Sequence, residues 1–149
     1  MNDFRKQQGQ QKYHGQNQQT QINLRELKRD ISGYSKLEDL PAEKVIDISE
    51  KLGAHLKIIG LKTSQIRKFL DGVRKLDNLF VRGKNFDKEQ VILLKPKLAY
   101  AAGRQKEIKP LMEILGPAID SGAKSYKSFK KLIALIEGII AYHRYYGGE

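Results

Sequence analysis

The chain of 149 residues contains no cysteine. Disulfides and cysteine-ligated zinc are therefore excluded, and the composition fits a reducing compartment. Histidine is scarce, limited to His14, His55 and His143. None of the three belongs to a metal-ligand spacing, a nucleophile motif or a histidine–carboxylate pair, and no Gly-rich phosphate loop is present. No catalytic residue, metal or cofactor is expected, and the chain is read as a non-enzyme. Long apolar runs are also missing. The most apolar stretch, LIALIEGIIAY (residues 132–142), is eleven long and carries Glu137, whereas a bilayer span takes about 20 apolar residues. The N-terminal MNDFRKQQGQQ lacks the apolar core of a secretion signal. A soluble cytoplasmic protein with no membrane partner is the expectation. Negative charge is the last deficit: 17 Asp and Glu face 28 Lys and Arg, a formal net charge of +11. An excess of that size attracts polyanions such as nucleic acid.

What is present divides the chain in two. Residues 1–21 hold eight glutamines and two glycines, with Phe4 and Tyr13 as the bulky apolar groups. Such a segment cannot bury enough surface to offset its ordering entropy, so it reads as a disordered Gln-rich tail. Residues 22–149 form one all-helical domain, because no alternating apolar–polar run demands a strand. The class is all-α, a compact bundle of five to six helices. INLRELKRDI predicts a short amphipathic helix ending near Gly33. A second helix starts at Pro41 and runs to Gly60, with Val45, Ile48, Ser49, Leu52, Leu56 and Ile59 as its inner stripe. A third, capped by Thr63 or Ser64, places Ile66, Phe69, Leu70, Val73, Leu76 and Phe80 on one side. Asp87 and Gln90 have the spacing of a capping box and begin a fourth helix, which ends near Gly103. A fifth segment is helical but interrupted at Pro110 and at Gly116-Pro117. The last helix runs from about Tyr126 to Tyr146.

The fourth helix contains KPKLAYAAGRQK (residues 95–106), whose proline is expected to kink it or to end its first part. Val91, Leu94, Leu98, Ala101 and Ala102 make its buried face. Lys97, Tyr100 and Arg104 share a separate stripe facing away from that core. Cations there can meet phosphates, and the ring can stack on a base or sugar. Cationic stripes recur: Arg67 with Arg74 and Lys68 with Lys75 on the third helix, Lys51 and His55 on the second, and Lys124, Lys127 and Lys131 on the last. Together with the charge excess they mark these residues as candidate nucleic-acid contacts.

The last helix poses a different problem, being apolar on every side from Leu132 to Tyr146. A helix apolar all round is buried all round, either at the centre of its own domain or against another subunit. Tyr142, Tyr145 and Tyr146 are the candidate interface residues, tyrosine being a typical anchor. His143 is expected to hydrogen-bond within the packed C-terminal helix.

Two segments, KPKLAYAAGRQ and FKKLIALIEGIIAYHRYYGG, resemble the small subunit of the type III-A CRISPR effector, the Csm interference complex. LLKPKLAYAAGR (93–104) and AYHRYYGG (141–148) carry the resemblance most specifically, and it covers about residues 40–149. It implies a helical, non-catalytic subunit of the ribonucleoprotein, present in several copies beside the repeated backbone subunits and the large subunit. There it would support the duplex of guide (CRISPR) RNA and target RNA, chiefly through phosphates. By matching position, Lys97 and Arg104, and with them Tyr100, are the implied RNA contacts. The YHRYYGG segment is implied to serve fold or assembly. A subunit that accepts any guide cannot read bases, so Lys and Arg on the sugar–phosphate backbone suit the role, with sequence left to base pairing. Two other classes remain open on the residues alone. One is a stand-alone helix-turn-helix-like regulator reading bases with Gln65 and Arg67. The other is a small ribonuclease built on His55 and Lys51.

Overall fold

In the computed structural model, which describes residues 24–83 and 85–149, every regular element is helical. The expected tail, residues 1–21, lies outside the described residues. Helix α1 spans residues 24–32 and buries Leu27 and Ile31, four apart on one face. A single 3-10 turn, Leu37–Asp39, leads to α2 (Ala42–Ile58), with Pro41 as its N-cap residue. The inner stripe of α2 is buried from Val45 to Leu56, as its periodicity predicts.

Helix α3 (Thr63–Val81) buries Ile66, Leu70, Val73 and Leu76, while Phe69 and Phe80 are half-buried. Its capping differs from expectation. The N-cap is Lys62, which makes no side-chain cap, and Thr63 is the first helical residue. The Thr63 N–H instead donates to the Glu149 carbonyl at 3.0 Å, so a distant segment satisfies an orphan donor of the first turn.

The expected fourth helix is two. Asp87 caps α4 (Lys88–Ile92) by accepting from the Glu89 N–H at 3.0 Å, and after Leu93 the chain resumes as α5 (Leu94–Arg104). Pro96 explains the position of the break. Its ring would collide with the carbonyl four residues back, that of Ile92, where α4 ends. In α5 it occupies the first turn, where no intrahelical N–H is needed.

A 3-10 turn, Lys106–Ile108, precedes α6 (Lys109–Gly122). Here the expected interruption at Gly116-Pro117 does not occur, and the helix runs through it. Ile114, Leu115, Ala118 and Ile119 are fully buried on both sides of the proline, so packing outweighs the lost hydrogen bond.

Helix α7 (Tyr126–Tyr145) starts at Ser125, whose hydroxyl accepts from the Ser128 N–H at 3.0 Å. It is the central helix, packed against α2, α3, α6 and the Leu37–Asp39 turn. Phe129, Leu132, Ile133, Leu135, Ile136, Ile139 and Ile140 are buried. The helix is not enclosed all round, since Ala134, Glu137, Ala141 and Arg144 form an exposed edge.

Two glycines decide how closely α2 and α7 approach. A Cβ at Gly53 would lie 2.8 Å from the His143 backbone N and 2.9 Å from the Ile139 carbonyl, and one at Gly138 would strike the Ser49 side chain. The Ser49 hydroxyl also donates to the Leu135 carbonyl at 3.4 Å.

The C-terminal turn locks this pair to α3. His143 is fully buried, and its Nε2–H donates to the Leu61 carbonyl at 2.6 Å. Its Nδ1 accepts from the Thr63 hydroxyl at 3.1 Å. The expectation of a bond within the last helix is therefore corrected: the imidazole ties α7 to the α2–α3 connection. The Gly148 N–H returns to the His143 carbonyl at 2.8 Å, and a side chain at Gly148 would collide with the ring.

Three tests follow from this packing. Gly53→Val lowers unfolding stability by about 2–3 kcal/mol, an overpacking cost, in denaturant titrations. Gly72→Ala, where an added methyl meets nothing within 4 Å, raises it by about 0.5–1 kcal/mol through helix propensity. His143→Ala lowers it by about 2–4 kcal/mol, because a carbonyl and a hydroxyl lose their partner and a cavity opens.

Candidate nucleic-acid interface

Helix α5 begins where Pro96 forces a new start, and from there Lys97, Tyr100 and Arg104 recur along one edge at spacings of three and four. Lys95, two residues before Lys97, is used internally: its Nζ donates to both Asp120 carboxylate oxygens at 3.0 Å, fastening α5 to α6. The edge bearing Lys97 faces α3 across a groove of about 380 Å³. Lys68, Phe69 and Gly72 line it from α3, with Ala101 and Ile108 from the opposite side. Tyr100 is 69% exposed, and the Arg104 guanidinium lies 5.9 Å from its ring centroid. That distance is within cation–π range, so the ring helps to fix the position of the cation.

Four candidates thus meet at one place: Lys68, Lys97, Tyr100 and Arg104. No Asp or Glu is among the described residues lining the groove. Arg67, Lys75, Lys124 and Lys127 are exposed but line neither this groove nor the one beside Lys51. Lys124 also precedes the Ser125 cap and lies outside the last helix.

Other candidates are engaged within the protein. Arg74 Nη2 meets Glu137 Oε1 at 3.0 Å, bracing α3 against α7, and Lys51 pairs with Asp47 at 3.2 Å. Lys131 Nζ donates to the Leu40 carbonyl at 2.9 Å. Lys130, not singled out from the sequence, pairs with Asp77 at 2.8 Å. Its hydrogen bonds to Asp77 and then to Tyr126 hold its pKa above the ordinary lysine value.

Lys51 and His55 line a second groove with Asp47, Glu50, Ile58 and Tyr146. Its two carboxylates make it a different electrostatic environment. His55 is half-buried, its Nδ1 has no hydrogen-bond partner among the described residues, and burial lowers its pKa from 6.5. It therefore carries less positive charge at neutral pH than an unburied histidine would.

The tyrosines are arranged edge to face, with centroids 6.4 Å apart for Tyr142–Tyr145 and 5.1 Å for Tyr145–Tyr146. Tyr145 is 78% exposed. The Tyr146 hydroxyl donates to Glu50 Oε1 at 2.7 Å, which raises the phenol above its ordinary pKa.

Sequence reasoning found the α5 edge but missed the groove itself. Gly72, Gln105 and Ile108 line it because two helices and a turn converge, which no one-helix periodicity reveals. Phe69, on the apolar side of α3, packs half-buried against the core and lines the groove as well.

Among the described residues, none of the helices is long and apolar enough to cross a membrane. No group of three or more acidic or histidine side chains gathers there as metal ligands would.

Fold and groove define a class: a small, basic, all-helical protein with a cation-rimmed cleft between two helices. The family model described as Csm2 Type III-A matches residues 39–149, and the chain belongs to that family, the small subunit of the type III-A CRISPR complex. It is thereby a component of the Csm complex alongside other subunits. A comparison with curated proteins gives no match. The matched span takes in α2 through the C-terminus, and so the whole groove.

The pH dependence of folding is a test of the His55 environment. The unfolded chain binds this proton more readily than the folded one. Its contribution to stability is thus present above pH 6.5 and is lost as pH falls from there through the lower folded pKa. Thermal unfolding across pH 7.5 to about 5 is expected to show a smaller loss in His55→Gln than in the parent chain.

Proposed function

We propose that this subunit has no catalytic activity of its own and holds the duplex of guide RNA and target RNA by its sugar–phosphate backbone. Several copies act side by side in the cytoplasm, next to the backbone and large subunits. The observation that carries the reading is the convergence of Lys68, Lys97 and Arg104 from two helices on one groove with no lining carboxylate among the described residues. Three cations unneutralised by neighbours release counterions when they meet phosphates, and this gives sequence-independent, salt-dependent affinity. Lys51 and Arg74, each with a carboxylate already in place, contribute less. The cluster of half-buried Tyr142 with exposed Tyr145 and Tyr146 is the proposed contact with neighbouring subunits, its rings being suited to anchor an interface.

Binding of the protein to unrelated single-stranded RNAs and to an RNA duplex across a salt series tests this. The expected result is weak binding indifferent to sequence, with intact RNA recovered. The triple variant Lys68→Ala, Lys97→Ala and Arg104→Ala is expected to make the single-strand log–log salt slope shallower by about 2, at about 0.7 per phosphate. Its helical circular dichroism stays unchanged. A marked sequence preference would identify a regulator, and cut RNA a nuclease; either overturns the reading. In reconstituted complex, Tyr145→Ala reduces the copies retained on size-exclusion chromatography without lowering the melting temperature of the free protein.

A further inference from the structure

The groove is more than a row of cations. A surface that met phosphates alone would need only charged side chains standing in water, since phosphates are strongly hydrated. This groove has Phe69, Leu94, Ala101 and Ile108 among its lining, with Gly72 leaving its α3 side open. At about 380 Å³ it falls within the size range of small-ligand clefts, about 300–1,000 Å³. Tyr100 stands at its edge with most of its ring surface exposed.

From this geometry we infer that the groove receives an unstacked nucleobase, so that RNA is held by one base as well as by the phosphates on either side of it. The inference rests on the RNA-backbone reading above and deepens it. A planar base is the occupant that matches each part. Its apolar faces suit the Phe69–Ile108 lining and the Tyr100 ring, because base–aromatic stacking works for every base. The flanking phosphates fall to Lys68, Lys97 and Arg104. Gln65 and Gln105, also in the lining, carry amides that both donate and accept. Amides of that kind can meet the edge of any base by rotating, which preserves indifference to sequence. Bases inside a continuous duplex are stacked and cannot enter. The groove is therefore a site for a single strand, or for a nucleotide left unpaired in a duplex.

Fluorescence anisotropy with the full chain tests this. The probes are an unstructured RNA and a fully abasic ribose-phosphate chain of the same length, so that charge is identical. Intact RNA is expected to bind about five- to hundredfold more tightly, the usual range for one base–aromatic stack. Gly72→Leu fills the groove from a position with open space around it. It is expected to bring the affinity for intact RNA down to that for abasic RNA, with the salt slope unchanged. Tyr100→Ala, at an exposed position, is expected to act in the same direction. Equal binding of the two RNAs with a normal salt slope overturns the base site and leaves the phosphate reading standing. No binding of either RNA removes both. A short Glu- and Tyr-containing peptide that binds the parent but not Gly72→Leu, while the two RNAs bind equally, would make the groove a peptide site and overturn the inference.

Discussion

The near contact of two backbones, α2 and α7, is the constraint on which the rest of the molecule depends. Helix α7 carries more apolar surface than a peripheral helix can hide, and α2 packs against more of it than any other element does. They approach this closely because Gly53 and Gly138 present no Cβ at the crossing. Interiors packed at crystalline density transmit such a placement instead of absorbing it. The height of α7 along α2 sets where His143 falls, and His143 in turn fixes Leu61 and Thr63. The start of α3 is thereby determined, and α3 is one wall of the groove. The AYHRYYGG segment thus has two roles in eight residues: a buried imidazole and a glycine that folds over it, and an exposed aromatic cluster beside them.

Electrostatics sorts the cations into two groups. Exposed ion pairs contribute about 0–1 kcal/mol each, so the braces Arg74–Glu137, Lys130–Asp77 and Lys95–Asp120 add little stability singly. Their larger effect is to commit those cations, and the acidic residues with them, to the joints between helices. Lys95 and Lys97 show the division within one turn. The first closes α5 onto α6, and the second remains on the groove rim. With a formal net charge of +11, the surplus has to be displayed somewhere, and the groove is one place where no carboxylate stands against it among the described residues.

Much of the fold was legible from periodicity. The buried stripe of α2, the face Val91–Leu94–Leu98–Ala102 that runs from α4 into α5 and the extent of α7 all follow from apolar spacing. What spacing could not show was tertiary compensation. Gly116-Pro117 reads as a break, yet buried residues on either side keep α6 continuous. Thr63 reads as a cap, yet its hydroxyl serves His143 and a C-terminal carbonyl takes its N–H. The candidate site was legible in part for the same reason. Lys97, Tyr100 and Arg104 lie on one helix and declare themselves by register, whereas Lys68 joins them only because α3 and α5 are brought face to face. Arg74 and Lys51 have the same register signal, and nothing local foretells that carboxylates stand beside them. The family resemblance added the assembly, which no residue pattern within one chain contains.

Ultraviolet cross-linking of RNA in the assembled complex, read by mass spectrometry of the attached peptides, addresses the central claim most directly. The account predicts that cross-links from this subunit concentrate on the segments 65–76 and 97–105, with Tyr100 the main attachment point. Cross-links confined to the Asp47–Ile58 face, or found on the C-terminal tyrosines with none in those two segments, would contradict it.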